Sequence, residues 1–271
     1  MTRTTSDSRH LTAAPPTDTA SRRPPPKPSP ARWWERPWIL PLALFSVTFL
    51  LFAVPPYLSL DPADSRLPVP ESPSWYFPVL VIHVFGGALI TLLVILQVWP
   101  WLRTRHPAVH RWSGRVYVLA GLPLVGVPAM LIAPFSEAGA SAQISGFVWA
   151  ALWSAFTVLG YVKARRRRFA DHREWMLRSF ALVYGIAFNR VLHVLLVMIT
   201  APRVDTVYGG DFEAMSLDLG AASGFLSWIL PLLFVEWWIK YRKPRRRSRR
   251  ARTTDKRTAS PASPAEPDHS A

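Results

Sequence analysis

The chain has 271 residues, half of them hydrophobic, with 13 Trp, 27 Pro and no Cys. The lack of Cys excludes disulfide frameworks and thiolate metal sites. A net charge of +15 points to nucleic acid when it is spread over a folded surface. Here, however, the apolar residues fall in long uncharged runs and not in amphipathic stripes, the mark of a polytopic membrane protein.

Residues 1–31 are rich in Ser, Thr, Pro and Arg, including Pro24, Pro25 and Pro26. Such a segment buries too little apolar surface to fold and is predicted to be a disordered tail. No cleavable signal peptide is expected, because this polar tail precedes the first apolar run. Trp33, Trp34 and Trp38 follow with Arg32 and Arg36, an aromatic and basic anchor for the membrane interface. Six apolar runs come next, at 38–60, 75–101, 112–134, 142–162, 175–201 and 219–239. Each reaches the roughly 20 residues that a transmembrane helix needs. The predicted fold is therefore all-α, a bundle of six transmembrane helices occupying residues 32–241. Pro123 and Pro128 fall inside the third run, where neighbouring helices can satisfy freed carbonyls, so a kink is expected and not a break. The acidic stretch 202–218 is a long outer connection. Residues 242–271 are predicted to be a disordered basic tail.

Charge sets the orientation. Apart from Arg66, Arg190 and Arg203, every Lys and Arg lies in the two tails or at the second and fourth connections. The positive-inside rule places those segments, and both termini, in the cytoplasm. The expected location is the plasma (inner) membrane, crossed several times. The basic run at 243–257 then reads as a contact for anionic lipid headgroups beside the last helix, and no nucleic-acid partner is expected.

Polar residues inside the apolar runs are the candidate functional groups, because ionisable side chains are costly in a bilayer and tend to face a bundle interior. The stretch 171–200 carries His172 and His193, 21 positions apart. At helical rise that is roughly 31 Å, about the thickness of the hydrocarbon core. Arg190 lies one turn before His193. With the topology above, His83 and His193 share the outer level, while His110 and His172 share the inner level. Neutral imidazole is a common iron ligand, and two imidazoles facing each other between helices suit a b-type haem. Gly87 and Gly114, one turn from His83 and His110, leave room for a flat macrocycle or a closely packed helix. Arg190 suits a propionate, since guanidinium binds carboxylate through two hydrogen bonds. A plainer reading stands beside this one. His110 and His172 fit headgroup anchors, His83 and His193 fit an interhelical hydrogen bond joining spans two and five, and Gln97 fits packing glue. Glu236, near the inner end of the last run, is expected to reach for the cytoplasmic interface or for a Lys or Arg neighbour.

These residues also carry a resemblance. From His83 onward the order His, Gly86-Gly87, Gln97, Arg103, His110-Arg111, Gly114-Arg115, Tyr117 precedes a second segment of His172, Arg173, Trp175, Met176, Arg178 and Ser179. This pattern, over roughly Pro78 to Val197, resembles the bacterial membrane-protein family catalogued as domain of unknown function 2306, which implies a membrane protein without an assigned activity. The His-x-x-x-Gly repeats at His83–Gly87 and His110–Gly114, with Gln97 between them, are also similar to transmembrane di-haem b-type cytochromes. That likeness implies His83 with His193, and His110 with His172, as haem-iron ligand pairs. Those cytochromes draw four ligands from four helices, whereas here two would come from the fifth run and none from the fourth.

Three functions remain open on the sequence: haem-mediated electron transfer across the membrane, a small-ligand transporter lined by Arg190 and His193, and a non-enzymatic membrane assembly or interaction protein. Whether the chain is an enzyme is left open, as are its protein partners.

Overall fold

The computed structural model describes the backbone of residues 37–137 and 139–258 and the side chains of residues 37–137 and 139–241. The tail at 1–31 and residues 259–271 lie outside the described residues. Among the described residues nine α-helices follow in order: α1 Ile39–Ala53, α2 Tyr76–Val98, α3 Pro100–Arg105, α4 Pro107–Leu119, α5 Val127–Ile132, α6 Ala140–Arg165, α7 Phe169–Thr200, α8 Val204–Tyr208 and α9 Phe212–Thr258. No strand occurs among the described residues.

Among the described residues six helical segments are long and apolar enough to cross a membrane: Ile39–Tyr57, Tyr76–Val98, Pro107–Phe135, Ala140–Arg165, Phe169–Tyr208 and Phe212–Tyr241. The chain is a multi-pass membrane protein of six spans. An even number of crossings leaves the start of the first span and the end of the sixth on one side.

The helices start and stop where local chemistry allows. The third span begins at Pro107, earlier than its apolar run, because proline suits the first turn of a helix where no N–H is needed. The sixth starts at Phe212, ahead of the apolar residues, and the Asp211 carboxylate accepts a hydrogen bond from the Ala214 N–H at 2.8 Å. An acidic group at a helix start satisfies an orphan donor and suits the dipole. At its far end α9 continues as helix to Thr258, where the sequence reading places a disordered tail from 242. Arg and Lys are good helix formers, and the span supplies a preformed nucleus.

The bundle is organised around α7, which packs along α9 and α6. Its core joins Ile90, Val94, Tyr117, Trp149, Trp153, Leu182 and Trp228. Without a hydrophobic force between helices in lipid, close approach at small residues and interhelical hydrogen bonds hold spans together. A Cβ added at Gly86 would lie 2.7 Å from the Leu124 carbonyl, and one at Gly185 would lie 3.0 Å from Trp228 Cβ. In the middle of the bundle Tyr117 Oη lies 2.7 Å from Ser179 Oγ, which lies 2.8 Å from Thr157 Oγ1. Trp153 Nε1–H donates to Tyr117 Oη at 3.1 Å. α1 stands at the edge, with Leu40, Leu44, Val47 and Leu51 exposed, and Ser46 Oγ lies 3.0 Å from Tyr184 Oη of α7.

Candidate functional site

The spans bring the predicted residues together in two cavities, one in each half of the bundle. In the outer half, His83 on α2 and Arg190 and His193 on α7 line a cavity of about 410 Å³, with Asn189, Trp149 and Ser223. The third span explains how His83 is held. Between α4 and α5 it forms a π-helical turn, Leu122–Gly126, around Pro123 and next to Pro128. Proline removes a backbone donor, and in a span the freed carbonyls are re-satisfied by side chains or local π turns. His83 Nδ1 lies 3.1 Å from the Val125 carbonyl. A carbonyl can only accept, so Nδ1 carries the proton and Nε2 keeps its lone pair. His83 thus joins span two to span three, not to span five as the plainer sequence reading expects. The partner ring, His193, has a buried Nδ1 with no hydrogen-bond partner among the described residues. Its Cε1 lies against α9, 3.9 Å from where a Gly220 Cβ would sit.

The inner half repeats the arrangement. His110, in the first turn of α4, and His172, in the first turn of α7, line a cavity of about 830 Å³ with Gln97, Arg103, Arg173 and Phe180. His172 Nδ1–H donates to the Gly160 carbonyl of α6 at 2.8 Å, so its Nε2 is the free atom. His110 Nδ1 is buried and lacks a partner among the described residues. Gln97 Nε2 donates to the His110 carbonyl at 2.9 Å and to Ser113 Oγ at 2.6 Å, locking α2 to α4. Gly114 is packed by that amide, 3.2 Å from its would-be Cβ to Gln97 Oε1, so it makes room for Gln97 and not for a macrocycle. Gly87, by contrast, faces open space at the cavity beside His83.

Each cavity therefore holds one imidazole anchored through Nδ1–H to a backbone carbonyl and one whose buried Nδ1 is unmatched. Anchoring through one ring nitrogen is how ligating histidines are commonly oriented. Glu236 meets Arg178 in a two-pronged ion pair, with Nη2 to Oε2 at 3.1 Å and Nε on Oε1, as the sequence suggests for an intramembrane carboxylate. No Asp or Glu lines either cavity. Among the described residues no three His, Asp or Glu side chains gather as a bare metal ion requires.

Sequence reasoning did not single out Tyr57 and Arg66, which share a second outer cavity with His83 and Arg190. Both follow the first span, where nothing in their spacing links them to residues more than a hundred positions away. It also did not identify the wall between the halves. Trp149 and Trp153 stack with ring centroids 6.4 Å apart, and Tyr117 meets Phe180 edge-on at 5.3 Å.

No curated protein and no solved structure matches the chain. Residues 80–209 match the family described as predicted membrane protein, domain of unknown function 2306. That interval runs from just before His83 through the outer end of the fifth span, so it contains all four cavity histidines and Arg190. Over those residues, just under half of the chain, the protein is similar to the predicted membrane protein family of domain of unknown function 2306.

Proposed function

We propose that this protein binds b-type haem at two levels of the membrane, held by His83 with His193 in the outer half and by His110 with His172 in the inner half. The observation that carries the reading is the pairing itself: residues far apart in sequence line common cavities in the pairs that helix depth predicts. The donor sets suit a macrocycle better than a bare ion. A porphyrin brings four nitrogens and asks the protein for two, which is what each cavity offers. The cavity volumes fall within the roughly 300–1,000 Å³ of small-molecule sites. Bound there, haem would supply a one-electron carrier on each side of the bilayer. The chain's own part is to aim His83 and His172 through their Nδ1–H bonds, to exclude water with the Trp149–Trp153 wall, and to offer Arg190 as countercharge to a carboxylate. The positive-inside pattern supports a plasma-membrane location with cytoplasmic termini and anionic headgroups at the basic face.

The test is a reduced-minus-oxidised absorption spectrum of the protein purified from haem-replete cells. Two haems per chain, one lost in His83→Leu and the other in His172→Leu, is the expected result. A colourless preparation sinks the proposal. It would leave the assembly reading, which the interhelical bonds of His83, His172, Gln97 and Arg178 favour, as the better account.

A further inference from the structure

Arg190, unlike Arg178 on the same helix, is given no carboxylate partner by the fold. It makes no hydrogen bond or ion pair among the described residues. It also lines a second outer cavity of about 220 Å³, between α1 and the α2–α7 side of the bundle. Arg66, from the connection after α1, reaches the same space. Its Nε donates to the Phe52 carbonyl at 3.1 Å and its guanidinium lies 4.0 Å from the Phe52 ring centre. That hold fixes Arg66 at the end of α1 and leaves its terminal nitrogens free to donate. Tyr57 borders the cavity too, and its hydroxyl takes a long 3.4 Å hydrogen bond from Ser65 Oγ, which leaves the phenol proton available.

Two guanidiniums and a phenol thus converge with no Asp or Glu in the lining. Like charges brought together repel unless an anion lies between them. Most of the remaining lining is apolar, including Phe49, Leu50, Leu80 and Val84, with His83, Thr91 and Asn189 among it. We infer that Arg66 and Arg190 form a clamp for a carboxylate carried on an apolar body, seated beside the first span. Two sources carry that chemistry: the propionate edge of a macrocycle in the outer cavity, and the headgroup of a long-chain fatty acid entering from the bilayer. The inference goes beyond the haem reading and holds with either source. Guanidinium recognises carboxylate through paired hydrogen bonds, so charge alone is not sufficient and Lys would be a weaker substitute.

The experiment uses the full-length chain purified in detergent, once from haem-depleted and once from haem-replete cells. Haem-depleted protein is equilibrated with radiolabelled palmitate, with hexadecanol as the uncharged counterpart. The haem-replete sample is followed for haem loss to an apoglobin acceptor. Arg66→Gln, Arg190→Gln and Arg190→Lys are compared with Arg203→Gln, an outer Arg away from the cavity, and all are checked by size-exclusion profile. Saturable palmitate binding, absent for hexadecanol and weakened at least about tenfold in either clamp Gln variant, assigns the carboxylate to a lipid; loss of one charge-assisted hydrogen bond accounts for that factor. Arg190→Lys should fall between. No palmitate binding, with haem lost about tenfold faster from Arg66→Gln and Arg190→Gln, assigns it to the macrocycle. Equal retention of palmitate and hexadecanol, or clamp variants that match Arg203→Gln in both arms, overturns the clamp. A colourless haem-replete preparation removes the haem reading alone and leaves the palmitate arm to decide.

Discussion

In the inner half of the bundle Arg178 finds Glu236 on the neighbouring helix and lies 4.7 Å from the Trp175 ring. In the outer half Arg190, on the same helix α7, faces a cavity with Arg66 and no carboxylate. One cation is satisfied by the fold and the other is not. Histidines show the same contrast within each half, one ring anchored to a carbonyl and one with a buried unmatched nitrogen. A polar group that the protein pairs with itself explains how helices stay together; one that it leaves unpaired at depth marks where something else binds. The inner Arg is thereby a structural lock, and the outer Arg is the group that the proposed clamp uses.

The comparison is broken most forcefully through the wall that separates its two sides. Trp153 is fully buried and donates to Tyr117 Oη. Trp153→Ala should cost roughly 3–5 kcal/mol in unfolding by denaturant in detergent. A loss below about 1 kcal/mol would mean that this core does not hold the halves apart. The two arginines come next. Arg178→Leu removes both charged hydrogen bonds to Glu236, whose side chain is 33% exposed, so the expected loss is about 2–3 kcal/mol, under the 3–5 of a fully buried pair. Arg190→Leu should cost less than about 0.5 kcal/mol because no partner is lost. Equal losses would erase the distinction between lock and site.

Adjacent glycines sharpen the outer half further. Gly86→Ala forces a methyl against the Leu124 backbone and should cost about 1–2 kcal/mol, whereas Gly87→Ala meets open space and should be near neutral to stability. His83→Leu and His172→Leu should each cost about 1 kcal/mol as interhelical bonds go. Any bound chromophore should change in one half only for each variant. The smallest effect belongs to the exposed bond from Tyr208 Oη to Asp218 Oδ2, at 2.8 Å. Asp218→Asn should shift stability by no more than about 0.5 kcal/mol.

Much of the fold is legible without coordinates because lipid imposes a simple length rule. Runs of about 20 apolar residues must cross as helices, so the first, second and fourth spans sit within three residues of their apolar runs, while the third, fifth and sixth begin five to seven residues earlier. Helical rise also sets depth, which is why His83 could be matched with His193 and His110 with His172 before any packing was known. What spacing left undecided shares a cause. Gly114 is filled by Gln97 and His83 bonds to span three, and each depends on a neighbour that spacing along one helix does not specify.

The amino-acid sequence by itself determined that the protein lives in a membrane and which runs are long enough to cross it, because hydropathy and length are properties of one segment at a time. Only the tertiary structure decided which polar groups close on each other and which are left facing a cavity. Rotation of each helix about its axis, and the π turn that offers Val125 to His83, follow from interhelical packing, and packing is settled by all six spans together.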